Sequence, residues 1–380
     1  MMKIYKKAIL PNGFKANGLS CGIKKSGKLD LALFVSQVSA KAACRFTTNK
    51  ILAAPVLVDK MHLKKTGQFR AIIANSGNAN CFTGSQGLKD AKCTATVLSK
   101  ALGVKEQAVL VASTGIIAKS LPVGKINQSV PELISGLSVQ GIDKAKKAIM
   151  TTDRFVKEIT VKLNISGKAI TICGIAKGAG MIAPDMATLL VFIFTDANIT
   201  QAALDKSLGM AVDNSFNCIT VDGCMSTNDS VILLANAASS NAIINKGANF
   251  NLFAKGINLV CLELAKLVIR DAEGATKFIE IRVKGAKTSK DARKVALSIA
   301  NSNLFKTAAF ASSQNILGRT AASAGASGVP FDQGDLRIKL SPLHKSDILI
   351  QVSMGKGKAS AVVYTSDLSY EYVKINAEYN

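Results

Sequence analysis

Apolar and polar positions along this chain follow two alternating periods. Ala71-Ile72-Ile73-Ala74 is a continuous apolar run that stops at Asn75-Ser76-Gly77-Asn78, which predicts a short buried strand ending in a turn. From Gly87 to Gly103 the apolar positions Leu88, Ala91, Ala95, Leu98 and Leu102 share one helical face. Val109-Leu110-Val111-Ala112 predicts a second strand, stopped by Ser113-Thr114-Gly115, and Ile142 to Thr151 reads as a helix. Residues 160–165 alternate polar and apolar like a half-exposed strand, and Ser166-Gly167 turns them back into Ala169-Ile170-Thr171-Ile172. The run Leu189-Leu190-Val191-Phe192-Ile193-Phe194 is a further buried strand, opened by Thr188. Asn198-Ile199-Thr200 offers a cap for a helix that continues to about Val212. Residues 278–283 and 336–340 predict strands flanking a helix from about Ser289 to Ser302. The tail from Ile348 to Ile375 reads as strand-like segments separated by Gly and Asp-Leu-Ser turns. The alternation predicts an α/β (α+β) fold with helix-covered sheets. A main domain is expected over about 1–283 and a smaller C-terminal α+β domain over about 284–380, with the Lys-rich stretch 284–294 as the seam.

Composition narrows the class. With 380 residues, 48% of them hydrophobic, the chain can bury a large core. The formal net charge of +23 raises nucleic acid as a partner. That charge is mostly Lys, scattered in ones and twos such as Lys24-Lys25 and Lys64-Lys65. There is no Trp, aromatics make up 5%, and nothing resembles a base-stacking platform, so a solvated Lys-rich surface is the better reading. Eight cysteines stand apart with no Cys-x-x-Cys pair, most of them in apolar stretches. That usage predicts reduced thiols in a cytoplasmic protein, with neither a zinc site nor a disulfide framework. No apolar run is long enough to cross a membrane, and the first 25 residues carry lysines without an apolar signal core.

Histidine is scarce: only His62 and His344 occur, and neither lies near a nucleophile signature such as Gly-x-Ser-x-Gly. A base for acyl transfer would then be a Lys or a terminal amine. Lys177-Gly178-Ala179-Gly180-Met181-Ile182-Ala183-Pro184-Asp185-Met186-Ala187-Thr188 presents a Gly-rich turn, a Pro-fixed loop and a threonine at a strand mouth. A loop before an ordinary strand would look similar. If the Ala187–Thr188 bond breaks, however, Thr188 gains an α-amine of pKa about 7.7–8.0 beside its own Oγ, so one scission supplies nucleophile and base.

Other polar blocks also sit between apolar ones. Ser113-Thr114-Gly115-Ile116-Ile117 puts a hydroxyl and a Gly N–H at a strand end, suited either to an oxyanion hole or to a plain turn. Thr151-Thr152-Asp153 closes a helix. Thr220-Val221-Asp222-Gly223 and Ser226-Thr227-Asn228-Asp229 form a dense polar run, and residues 270–277 pack charges between apolar segments.

In this order the blocks resemble the ornithine acetyltransferase (glutamate N-acetyltransferase) family of arginine biosynthesis, from about Ile9 to Tyr379. Besides those above, the resemblance uses Asn75-Ser76-Gly77-Asn78-Ala79-Asn80, Met150-Thr151-Thr152-Asp153, Glu273-Gly274-Ala275-Thr276-Lys277, Lys306-Thr307-Ala308, Gly318-Arg319 and Asn376-Ala377. It implies the layered fold of self-processing enzymes of that type. It implies self-cleavage between Ala187 and Thr188 into an α chain (1–187) and a β chain (188–380) that stay together, as two such pairs. Thr188 is then the nucleophile, and Thr114 and Gly115 the oxyanion hole. Thr151, Lys177, Thr188, Glu273 and Asn376 match substrate-binding positions. The implied reaction moves the acetyl group of N2-acetylornithine to glutamate with no cofactor or metal, and acetyl-CoA is a conceivable second donor. A self-exposed aminopeptidase or amidase, with water as acceptor, is the alternative. The chain departs from the family pattern at Ala183, Asp185 and Cys224, in the run 313–319, and in stopping at Asn380, one residue short of a usual terminal Ser or Thr. These departures bear on substrate affinity more than on the nucleophile.

Overall fold

The computed structural model describes residues 2–183, 189–355 and 357–378. They form two compact units. The first comprises 1–178, 185–215 and 225–264; the second comprises 179–184, 216–224 and 265–380.

The first unit is built on one sheet of nine strands: β1 (Lys3–Tyr5), β2 (Phe14–Leu19), β3 (Leu31–Phe46), β4 (Phe69–Asn78), β5 (Val109–Ile116), β6 (Lys157–Ile165), β7 (Lys168–Lys177), β8 (Leu190–Thr195) and β9 (Ser230–Ala235). The order is β1-β6-β7-β8-β9-β3-β4-β5, with β2 also paired to β3. The long β3 joins both halves, its residues 31–35 pairing with β4 and its residues 41–46 with β9. Its helices are α1 (Ala54–Lys65), α2 (Gly84–Leu102), α3 (Val123–Ser135), α4 (Ile142–Ala148), α5 (Gln201–Asp213) and α6 (Gly247–Arg270), the last of which runs on into the second unit.

The two-residue period of the strands sets the layers. On β4 and β5, Ala71, Ile73, Val109 and Val111 join a core with Val58 of α1, Leu98 of α2 and Leu133 of α3. The intervening Ile72, Ala74, Leu110 and Ala112 face the opposite way, into a core with Ile142 and Ala145 of α4. That second core carries Phe34 against Phe192 and Phe194 at ring-centroid distances of 5.2 Å each. The edge strand β5 is not left bare. Asp59 of α1 accepts the Val111 N–H at 2.8 Å, and His62, one turn on, bonds the Val109 carbonyl at 2.7 Å through Nδ1. Covering an edge in this way removes a template for unwanted pairing. It also occupies His62, which lies buried beneath the sheet.

The second unit holds the mixed sheet β11-β12-β10-β13, made of β10 (Phe278–Ala286), β11 (Arg337–Leu340), β12 (Asp347–Ser353) and β13 (Ala359–Ser366). The helices α7 (Ser289–Ala300), α8 (Asn303–Phe310) and α9 (Ile316–Gly325) share its core, and α10 (Tyr370–Ala377) follows. Ile279, Ile281 and Val283 alternate into that core. The Lys-rich stretch 284–294 lies inside this unit, running from the end of β10, the central strand paired on both sides, into α7. The division along the chain falls instead within α6, at Leu264/Ala265.

Several elements run past their expected limits. β5 continues through Ser113-Thr114-Gly115, since β4 pairs with it residue for residue as far as Gly77 opposite Gly115. Ser166 and Gly167 both have positive φ (51° and 81°), as a tight hairpin turn requires. Thr200 caps α5, accepting from the Ala203 N–H. The helix expected to reach Ser302 stops at Ala300, and Ser302 caps α8 instead, accepting from the Phe305 N–H. The last segment of the tail is the helix α10 rather than a strand. It places Glu371 in its first turn and Lys374 in its last, as the helix dipole favours. All eight cysteines are free thiols. No described helix is long and apolar enough to cross a membrane.

Candidate active site

In the first unit, β4 and β5 are parallel and carry the two hydroxyl- and glycine-rich strand ends side by side, with Ser76 opposite Thr114 and Gly77 opposite Gly115. The ladder is irregular at Asn78, which meets both Thr114 and Ile116. Such a bulge re-aims backbone groups at a strand end. Gly115 has φ +134°, and a Cβ on it would lie 2.4 Å from the Gly77 carbonyl carbon and 2.5 Å from Asn78 N. Only glycine fits where two backbones approach this closely.

The polar side chains around this corner hold it from every side. Asn75 donates to the Asn78 carbonyl at 2.9 Å and accepts from Ser113 Oγ at 2.6 Å. Asn228 donates to the carbonyls of Ala79 (2.6 Å) and Ser113 (2.8 Å). Ser76 Oγ donates to the Ala148 carbonyl at 2.5 Å, tying the corner to the end of α4.

Lys177, the last residue of β7, is 2% exposed, and its Nζ donates to Thr114 Oγ1 at 3.2 Å. Because Thr114 accepts from an ammonium, its own O–H is left to donate elsewhere. Next along the chain, the Gly178 N–H (φ +149°) donates to Asp153 Oδ1 at 2.7 Å. The same carboxylate accepts from Thr151 N at 2.9 Å and from Lys157 Nζ at 2.6 Å. Thr151 therefore lies in a turn organised by Asp153, three residues beyond the end of α4. Burial pushes the Asp153 carboxyl up. Lys177, Lys157 and the Gly178 N–H outweigh that and hold it below the usual carboxylate range. Lys24 stands close by, its Nζ donating to the carbonyls of Leu29 (2.8 Å) and Met150 (2.7 Å). Burial pulls its ammonium down to about 8, Asp30 counteracts this, and Lys177 adds to it. The corner is thus a cationic, largely dehydrated strand end with a hydroxyl donor.

The Asp153–Lys157 pair has no side-chain exposure on either partner. Removing one partner of such a pair strands a buried charge at a cost of about 3–5 kcal/mol. Asp153→Asn is expected to lose stability on that scale in denaturant melts. The sign in pH follows from the depressed folded-state pKa. The contribution is complete above the unfolded value of about 3.9 and is lost as pH falls from there toward the folded one. The parent should therefore lose stability on acidification below about pH 4, and Asp153→Asn should lack that component.

In the second unit, Glu273 and Asn376 come together, with Asn376 Nδ2 donating to Glu273 Oε2 at 2.9 Å. The Glu273 N–H donates to the Ala179 carbonyl at 2.9 Å, and its carboxyl lies so close to Gly180 that a Cβ there would meet Oε2 at 2.1 Å. The segment 179–182 is thus bounded by Glu273. It is also gripped by the polar turn at 220–222, where Val221 N (2.8 Å) and Thr220 Oγ1 (3.1 Å) donate to the Ile182 carbonyl. Asp222 accepts from the N–H groups of Met181 (2.7 Å), Ile182 (3.0 Å) and Cys224 (3.0 Å), and from Tyr372 O–H at 3.1 Å. Lys306 is buried in the same unit, donating to Thr365 Oγ1 at 2.9 Å and to the Ser366 carbonyl. Burial lowers its pKa to about 7, against the pull of Asp367 and Asp222.

The expected cleavage pair, Ala187 and Thr188, lies outside the described residues, as do Pro184, Asp185 and Met186. Leu189, directly after Thr188, is described: it is buried, and its N–H donates to Asp229 Oδ1 at 2.7 Å.

Among the expected site residues, Thr114, Gly115, Thr151 and Lys177 fall in the first unit, and Glu273 and Asn376 in the second. Sequence reasoning had no role for Asp153, Lys157, Lys24, Asp222 or Asp229. Each was visible only as a polar letter, and many of its partners lie far away in sequence; the local ones are Thr151 and Lys157 for Asp153, Leu29 for Lys24 and Cys224 for Asp222.

The same blocks can be compared with known proteins. The family model described as ArgJ family matches residues 15–380. The chain belongs to the ArgJ family. It is 44% identical to the arginine biosynthesis bifunctional protein ArgJ of Geobacter sulfurreducens over 389 residues, which covers 97% of this chain and 98% of that protein. It is also 44% identical to the ArgJ protein of Caldanaerobacter subterraneus subsp. tengcongensis, over 98% of each. Among solved structures, ornithine acetyltransferase from Mycobacterium tuberculosis, complexed with ornithine, is 37% identical over 48% of this chain and 98% of that one, with a TM-score of 0.45. In the ArgJ family frame, the corner formed by Asn75–Asn78, Ser113–Gly115 and Lys177 is the candidate active site.

Proposed function

We propose that this ArgJ-family chain transfers the acetyl group of N2-acetylornithine to glutamate in two half-reactions on Thr188. The precursor first cuts itself between Ala187 and Thr188, leaving an α chain (1–187) and a β chain (188–380). Thr188 Oγ then attacks the acetyl carbonyl while its own α-amine takes the hydroxyl proton. The tetrahedral oxyanion is met by Thr114 O–H and Gly115 N–H. The C–N bond breaks, the proton passes to the departing amine, and ornithine leaves an acetyl ester on Thr188. The amine of glutamate attacks that ester, giving N-acetylglutamate and restoring the hydroxyl.

The match of residues 15–380 to the family is the observation that most supports this reading. The geometry within each unit, taken by itself, supports this reading. Lys177 occupies the acceptor side of Thr114, so the hydroxyl proton is free for an oxyanion. Lys177 and its cationic surroundings suit the substrate carboxylate. Glu273, held by Asn376, suits the ornithine side-chain ammonium. Thr151 completes the substrate contacts. Both substrates are small molecules; no cofactor or metal is proposed to take part, and acetyl-CoA is proposed as a second acetyl donor. Assembly as two α/β pairs and a cytoplasmic setting complete the proposal.

Purified enzyme is expected to form ornithine and N-acetylglutamate together from N2-acetylornithine and glutamate, with little free acetate. Free acetate released at one rate with or without glutamate would instead favour an amidase with water as acceptor. Glutamate acetylation with acetyl-CoA as sole donor tests the second donor.

A further inference from the structure

The polar run 220–229 supplies two carboxyl groups to the two sides of residues 183–188. On the N-terminal side, Asp222 accepts the N–H groups of Met181 and Ile182 at 2.7 and 3.0 Å. On the C-terminal side, Asp229 accepts the Leu189 N–H at 2.7 Å. Each contact lies within its own compact unit.

We propose that Asp229 is a positioning residue for the Thr188 nucleophile both before and after self-cleavage, whereas Asp222 positions the chain only for the cut. The inference rests on Thr188 being the nucleophile. Only the Thr188 carbonyl carbon stands between Leu189 N and Thr188 Cα. The peptide group joining them is planar, so fixing the direction of the Leu189 N–H fixes the plane that contains Thr188 Cα. Leu189 is held at both ends, because its carbonyl also accepts from Ser230 N at 3.2 Å. Scission leaves the bond from Thr188 to Leu189 intact, so the Asp229 contact continues to aim the nucleophile during transfer. Scission breaks the covalent path from Ile182 to Thr188, so the Asp222 contact then holds only the end of the α chain.

Asp229 meets Leu189 from a buried position. It is 1% exposed, its Oδ1 is spent on Leu189, and its Oδ2 has no hydrogen-bond partner. Burial pushes its carboxyl well above the usual range, against the pull of the Leu189 N–H and Lys177. Its hydrogen bond to Leu189 uses Oδ1 as an acceptor, and an amide of the same shape keeps that acceptor. Asparagine should therefore substitute for it, while alanine, which lacks the acceptor, should not.

The test uses full-length protein and two readouts: the cut fraction with time on denaturing gels, and kcat per cut molecule for acetyl transfer. Asp229→Ala is expected to cut slowly and, once cut, to turn over about 10²-fold slower than the parent, the usual penalty for a misplaced reacting group. Asp229→Asn should restore both rates. Asp222→Ala is expected to cut on the order of tenfold slower, for the loss of backbone hydrogen bonds. Its cut molecules should lose far less kcat than cut Asp229→Ala. A cut Asp229→Ala enzyme with parental kcat would overturn the proposal. So would a folded, cut Asp229→Asn enzyme slowed about 10²-fold, and that variant decides the matter if Asp229→Ala does not fold. Equal loss of kcat in the two alanine variants would also overturn it. A Thr188→Ala protein that is cut and active would instead overturn the nucleophile itself.

Discussion

Thr188→Ala is expected to remain one uncut polypeptide with no measurable acetyl transfer. Both losses have one cause. In the proposed mechanism the hydroxyl attacks the preceding carbonyl in self-cleavage and the acetyl carbonyl in transfer. The α-amine proposed as its base would exist only after the cut. His62 is committed to the Val109 carbonyl beneath β5. Thr188→Ser keeps a hydroxyl and an amine, and should still be cut and retain activity. Denaturing gels and a coupled assay of ornithine release read both variants.

The second large effect is expected at Gly115. Any Cβ there meets the backbone of Gly77 and Asn78 at 2.4–2.5 Å, and the φ of +134° excludes an ordinary side chain. Flexible side chains could move aside, but these are backbone atoms on the paired strand β4. Gly115→Ala must therefore push the β4 and β5 ends apart and swing the Gly115 N–H away from its aim. Loss of one oxyanion donor costs about 10²–10³ in kcat. The comparison variant is Thr114→Val, which keeps the shape, removes the hydroxyl and leaves Lys177 Nζ without that acceptor. Both variants should lose kcat far more than they raise KM, since oxyanion donors act on the transition state. A Gly115→Ala enzyme with parental kcat would remove that N–H from the mechanism.

Much of this architecture is legible along the chain, and the reasons are local. β4, β5, β6, β7 and β8 announce themselves as apolar or alternating runs because each is buried on one or both faces. α5 is bounded by a threonine cap, and α2 ends on Gly103 in the left-handed conformation. The tail misleads for an equally local reason: α10 is short, none of its residues is buried, and so no apolar face marks its helical period. The unit boundary inside α6 cannot be read from composition, because a continuous amphipathic helix gives no linker signal. Of the expected site residues, Thr114, Gly115, Thr151 and Lys177 in the first unit and Glu273 and Asn376 in the second stand out through their blocks. The groups that orient them do not. Asp153 meets Gly178, and Asp229 meets Leu189, only because the sheet brings distant strand ends together. No spacing rule in a single sequence reports such pairs.

The acetyl-enzyme is where these threads meet. Cut enzyme mixed with N2-acetylornithine and no glutamate should yield a β chain heavier by one acetyl group. Peptide mass spectrometry should place that group on Thr188, and added glutamate should remove it and release N-acetylglutamate. An unmodified Thr188 in enzyme that is turning over, or an acetyl group carried on another residue, would contradict the account.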